Sequence, residues 1–122
     1  MLGISGTTTN YIWLRTNTTF GINASTLRAI PIPSTDANMA AWWTVVFTPV
    51  GADIYRNGVK LATYTSDNSI GALKITNIGA SYSSAGFSFD GEISDVYVHS
   101  WPLLSGMVRD LHKDPYQFLI PA

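Results

Sequence analysis

Cysteine is absent, charged residues make up only 12% of the chain, and no apolar run approaches the length of a membrane span. The first absence excludes disulfides and thiolate metal sites, so thiol usage says nothing about redox compartment. The second, about half the charged share of an ordinary globular protein, disfavours surface helices faced with Lys and Glu. The third, against a requirement of ~20 residues, makes membrane insertion unexpected. The start of the chain also lacks a basic stretch leading into an apolar one, so it carries no readable address. With a net charge of −1 and seven scattered Lys and Arg, there is no electrostatic footprint for nucleic acid.

What remains is a chain of 122 residues, 46% hydrophobic, with polarity supplied by Thr, Ser and Asn. That length suits one domain, residues 1–122, and the composition suits sheets. Asn17 with Thr19 and Asn23 with Ser25 match the glycosylation sequon, but chance explains both in so Asn- and Thr-rich a chain.

Short β-rich runs begin at Tyr11–Arg15 and Thr19–Ile22, predicting a hairpin, with another strand near Thr26–Ile30. Pro31, Pro33, Ser34, Asp36 and Asn38 predict a loop. Trp43, Val45 and Phe47 then recur at period two, which makes this strand apolar on one face and predicts that it is central. Trp42, Thr44, Val46 and Thr48 take the other face. Asp53–Arg56 leads into Asn57-Gly58, the dipeptide favoured by a type I′ hairpin turn. A two-residue turn pairs Arg56 with Val59, Tyr55 with Lys60, Ile54 with Leu61 and Asp53 with Ala62. In that register Ile54 and Leu61 share the core face, while Asp53 and Lys60 form a diagonal surface pair of small worth.

Ala72–Ile78 predicts a further strand, and residues 79–86, rich in Gly, Ser and Ala, a loop. Phe87–Val98 predicts the last long strand. Ile93 and Val96 lie an odd number apart, so a bulge is expected near Ser94 and Asp95. Leu103, Leu104, Met107, Val108 and Leu111 recur at three and four, predicting a short helix over Ser105–His112 that Asp114 and Pro115 end.

The segment Trp43, Val45, Phe47 followed by Asp53-Ile54-Tyr55-Arg56-Asn57-Gly58-Val59 resembles a laminin G-like hallmark, a tryptophan strand leading into an aliphatic-Tyr-x-Asn-Gly hairpin. Phe89-Asp90-Gly91-Glu92-Ile93 resembles the Phe-x-Gly-x-Ile strand of that family, and Pro102 to Leu111 resembles its helical tail. The resemblance covers roughly residues 11–118. It implies an all-β fold, an antiparallel jelly-roll β-sandwich of the concanavalin A-like kind with one short C-terminal helix. Sequences with a tail like Asp114-Pro115-Tyr116 resemble phage and environmental reading frames, which implies an extracellular or virion-surface setting. The tail departs from the family's Leu-Ser-x-x-Glu, so Ser105 is expected to cap the helix. Members usually have further strands before the segment resembling Leu2 to Leu14. An edge left open in this way predicts a homo-oligomer or a partner chain that covers it.

Glucanases on this fold place two carboxylates about a glycosidic bond. Only Glu92 and Asp95 share a strand here, three apart, and the tight acidic cluster of that motif is missing. No enzyme is therefore expected, and a degenerate glycoside hydrolase is the weakest alternative. His99 and His112 lack metal-ligand spacing, and the loop at 79–86 lacks the Lys of a phosphate loop. The resemblance implies calcium as a possible ligand, with Asp90, Asp67 and Asp36 as rim carboxylates and Asp90 the foremost; no other cofactor is expected. Aromatics are the remaining lead, since the C–H faces of sugar rings stack on flat side chains. Tyr82 in the Ser-rich loop is the foremost candidate ligand-binding residue, with Asn77 near it, Trp101 and Tyr55; Trp101, like Trp42, is rather expected to cover the core edge or form a subunit interface, and Trp43, Phe47 and Phe89 are expected in the core. The functional expectation is a non-catalytic module for carbohydrate binding or adhesion. Its rival is a structural or assembly protein such as a virion surface component.

Overall fold

The computed structural model describes residues 2–4, 11–15, 19–24, 26–32, 39–49, 51–65, 75–78 and 92–117. The chain is β-rich with a C-terminal helix, and its contacts divide it into two compact units. One holds residues 1–39 and 67–97, the other residues 40–66 and 98–122.

The first unit contains β1 (Leu2–Ile4), β2 (Tyr11–Arg15), β3 (Thr19–Ala24), β4 (Thr26–Pro31) and β8 (Ile75–Ile78), in the sheet order β4-β3-β2-β1-β8. All its pairings are antiparallel. The expected hairpin is present, with Leu14 opposite Phe20 and Arg15 opposite Thr19. Phe20 is buried. Pro31, expected in a loop, is instead the last residue of β4. β4 ends the sheet among the described residues, and at a strand end on an edge the missing N–H of proline disturbs no ladder. β1 was not anticipated, because three residues are too few to show a period. It lies between β2 and β8, with Leu2 opposite both Ile12 and Ile78.

The second unit contains β5 (Trp43–Thr48), β6 (Gly51–Arg56) and β7 (Val59–Tyr64) in the antiparallel order β5-β6-β7, followed by α1 (Ser105–Lys113). β6 is therefore the central strand, and the expectation for Trp43–Thr48 is corrected. The buried residue of β5 is Val46 rather than one of Trp43, Val45 and Phe47, which are half-buried. The reason is α1, whose Val108 and the preceding Leu103 pack with Val46 and Tyr55 on that second face. β6 is buried on both faces, Ile54 at 0% exposure on one and Tyr55 at 2% on the other.

Asn57 and Gly58 make the turn with φ of 50° and 77°, as a type I′ hairpin requires. The first two expected pairs, Arg56 with Val59 and Tyr55 with Lys60, are present. A bulge then shifts the register, so that Ile54 faces Ala62 and Asp53 faces Thr63. The two expected pairs beyond Tyr55 are corrected: Leu61 is the extra residue, 45% exposed, and does not share the core with Ile54. An extra residue reverses which face each later side chain takes.

α1 agrees closely with its expected span. Ser105 is not its cap: Leu104 occupies that position without a side-chain hydrogen bond, and Ser105 is the first helical residue. His112 and Lys113 in the last turn complement the helix dipole. Residues 92–98, expected at the end of a long strand, belong to no strand, so the bulge expected near Ser94 and Asp95 has no described ladder to interrupt. Ile93, Val96 and Val98 are exposed there. β propensity reflects fit to a half-buried pleated surface, and without such a surface it forms no strand.

Candidate functional site

Two side-chain constellations stand out in the second unit. On the β6–β7 hairpin, the Asp53 carboxylate accepts hydrogen bonds from Lys60 Nζ at 2.7 Å, Thr63 Oγ1 at 2.6 Å and the Tyr55 hydroxyl at 3.5 Å. The Lys60 ammonium also lies 5.5 Å from the centre of the Tyr55 ring. Partial burial pushes the Asp53 carboxyl pKa up. The bonds from Lys60 and Thr63, the Lys60 charge and the Tyr55 hydroxyl outweigh that and hold it below the ordinary value. The hydrogen bond to Asp53 raises the pKa of Lys60. A carboxylate already occupied by three donors serves to fasten the hairpin.

The second constellation is a hollow of about 250 Å³ lined by His99, Trp101, Leu103, Met107, Asp110, Leu111 and Gln117. Each wall has a local cause. Pro102 disfavours helical backbone at Trp101, so the helix starts only beyond it, at Ser105. Met107, Asp110 and Leu111 stand three and four apart on α1 and so line one side. Leu103 faces inward because it packs against the Val46, Tyr55 and Val108 cluster. Beyond the helix, the Tyr116 N–H donates to the Asp114 carboxylate at 3.2 Å, forming a turn that returns the chain towards α1. The Gln117 carboxamide nitrogen donates to the Asp114 carbonyl at 3.1 Å. Trp101 is 59% exposed, its ring centre 6.1 Å from that of His99 with the planes tilted by 58°. The site thus offers an accessible indole, three apolar side chains and three polar ones.

Of the four candidate ligand-binding residues, Trp101 is in this hollow. Tyr55 is corrected: its ring is buried against Val46 and Val108, so it has no face to offer a ligand. Asn77 lies in β8, with its backbone opposite Gly3. Tyr82, Asp90, Asp67, Asp36, Phe89 and the loop at 79–86 fall outside the described residues. Glu92 is exposed and Asp95 half-buried, in a stretch that is not a strand. Among the described residues no group of three or more His, Asp or Glu could hold a metal ion. Sequence reasoning took Leu103, Met107 and Leu111 only as a helical apolar stripe and passed over Asp110 and Gln117. The available signal was an aromatic-Pro pair leading straight into an amphipathic helix.

No family model, curated protein or solved structure matches the chain.

Proposed function

We propose that the chain is a non-catalytic carbohydrate-binding module, built on a jelly-roll sandwich of the laminin G-like kind, and that it stacks a sugar ring on Trp101. The observation that carries this reading is an exposed indole that lines a hollow together with polar and apolar side chains. A pyranose has apolar C–H faces and a polar rim, so it needs that combination: a flat aromatic platform with hydrogen-bonding side chains beside it. The volume, small for a ligand pocket, suits one ring.

The test is a glycan-array screen of the purified chain with and without calcium, followed by titration of any binding sugar into Trp101→Ala and Tyr82→Ala. Binding lost in Trp101→Ala and kept in Tyr82→Ala supports the site. Loss in Tyr82→Ala alone moves it to the loop at 79–86, and no binding to any glycan by folded protein overturns the reading.

A second reading, an assembly protein contacting identical copies, draws on Val59 and Leu61, exposed on β7 at the edge of the three-stranded sheet. Apolar side chains on an edge strand invite pairing with another chain, although the bulge and Lys60 blunt that edge. Light scattering that gives a monomer at high concentration would remove this alternative.

A further inference from the structure

We infer that the hollow beside α1 selects a 2-acetamido sugar over the corresponding sugar that carries a hydroxyl at that carbon, an inference that rests on the carbohydrate reading of the same site. Three of the residues that line the hollow, Leu103, Met107 and Leu111, are apolar, with no hydrogen-bonding capacity beyond the weak thioether acceptor. A sugar with only hydroxyls at its edge would turn some of them onto these apolar side chains, where they lose water and gain no partner. An acetamido group instead presents a methyl, which gains by leaving water.

Two of the polar lining residues fit the rest of that group. Asp110, one turn beyond Met107 on α1, is an acceptor-only carboxylate with a side chain 57% exposed. Its contact with Arg109 Nε, at 3.6 Å, is longer than a charge-assisted hydrogen bond, so the carboxylate keeps acceptor capacity. Gln117 is held through its nitrogen to the Asp114 carbonyl, a bond in which its carboxamide oxygen takes no part. The Asp110 carboxylate and the Gln117 carboxamide oxygen thus place acceptors among apolar side chains, and a ligand with an N–H donor beside a methyl complements both. On a sugar ring, the acetamido substituent supplies both within one planar unit.

The experiment is calorimetric titration of the full chain with N-acetylglucosamine against glucose, and N-acetylgalactosamine against galactose, repeated with Met107→Ser, Asp110→Ala and Trp101→Ala. Met107 and Asp110 are both substantially exposed on the helix, so neither substitution threatens folding. The expected result is at least about tenfold tighter binding of the acetamido member of each pair. Met107→Ser narrows that ratio, Asp110→Ala weakens acetamido-sugar binding, and Trp101→Ala loses both sugars. Equal affinity within each pair, with both lost in Trp101→Ala, overturns the inference and leaves the carbohydrate reading standing. A preference untouched by Met107→Ser and Asp110→Ala also overturns it, because the selectivity would then arise elsewhere. Failure of every sugar to bind overturns both.

Discussion

Asn57 and Trp42 hold each other by two hydrogen bonds: the Trp42 N–H donates to Asn57 Oδ1 at 2.8 Å, and the Asn57 N–H donates to the Trp42 carbonyl at 2.8 Å. The residue that makes the hairpin turn possible thus also ties down the chain just before β5. Trp43 continues the connection, with the Arg56 guanidinium 5.7 Å from the centre of its ring.

Two properties of Asn57, its tolerance of positive φ and its side-chain acceptor, can be separated by substitution. Asn57→Gly keeps the turn and loses the acceptor, and about 1 kcal/mol of stability is expected to go with it. Asn57→Asp keeps both and is expected to lie near the wild type. Asn57→Ala loses the acceptor and strains the left-handed backbone, so it should be the least stable of the three. Urea denaturation midpoints at constant m-value give the order, and Asn57→Gly equal to wild type would deny the Trp42 bond any weight.

Asp53 should matter more than Lys60. Asp53→Ala strips a shared acceptor from Lys60, Thr63 and Tyr55 and is expected to cost about 1–2 kcal/mol. Lys60→Ala leaves the carboxylate its bonds from Thr63 and Tyr55, and should cost less. The folded pKa of Asp53 lies below its unfolded value of about 3.9. Its contribution is therefore complete above that pH and is lost as pH falls through the folded pKa. Lys60, raised in the folded state, contributes fully below the ordinary lysine pKa and loses that contribution as pH rises beyond it. Stability measured against pH should show an acid limb that shrinks in Asp53→Asn; an unchanged limb would assign the acid sensitivity to other groups.

Val108 and Leu104 are both apolar residues at the start of α1 with opposite fates. Val108 is 1% exposed within the Val46 and Tyr55 cluster, and Leu104 is 73% exposed. Val108→Ala removes two buried methyl groups and is expected to cost about 1–3 kcal/mol. Leu104→Ala should stay within about 0.5 kcal/mol of wild type. Thermal or urea unfolding distinguishes them, and equal costs would contradict the packing of α1 on the sheet.

Calcium removal should leave sugar binding at Trp101 unchanged. The hollow includes one carboxylate, Asp110, whereas a calcium ion takes six to eight oxygen ligands. Titration in the presence of a chelator checks this, and binding abolished by the chelator and restored by calcium would require a site that includes carboxylates elsewhere, Asp90 foremost.

The β-rich class, the β2–β3 hairpin, the Asn57-Gly58 turn and the span of α1 were legible in the sequence because each is governed by neighbours in the chain: alternation at two, recurrence at three and four, and residues that accept positive φ. What only the tertiary structure decided depends on contacts between distant residues. Whether Val46 or Val45 is the buried residue of β5 was settled by where α1 lies, and that placement also removed Tyr55 from the ligand-facing residues. The bulge at Leu61 brought Thr63 to Asp53, an arrangement set by pairing with β6, because the extra residue reverses which face each later side chain of β7 takes. The hollow, too, exists only once the turn at Asp114 returns Gln117 to the face of α1 that carries Met107, Asp110 and Leu111.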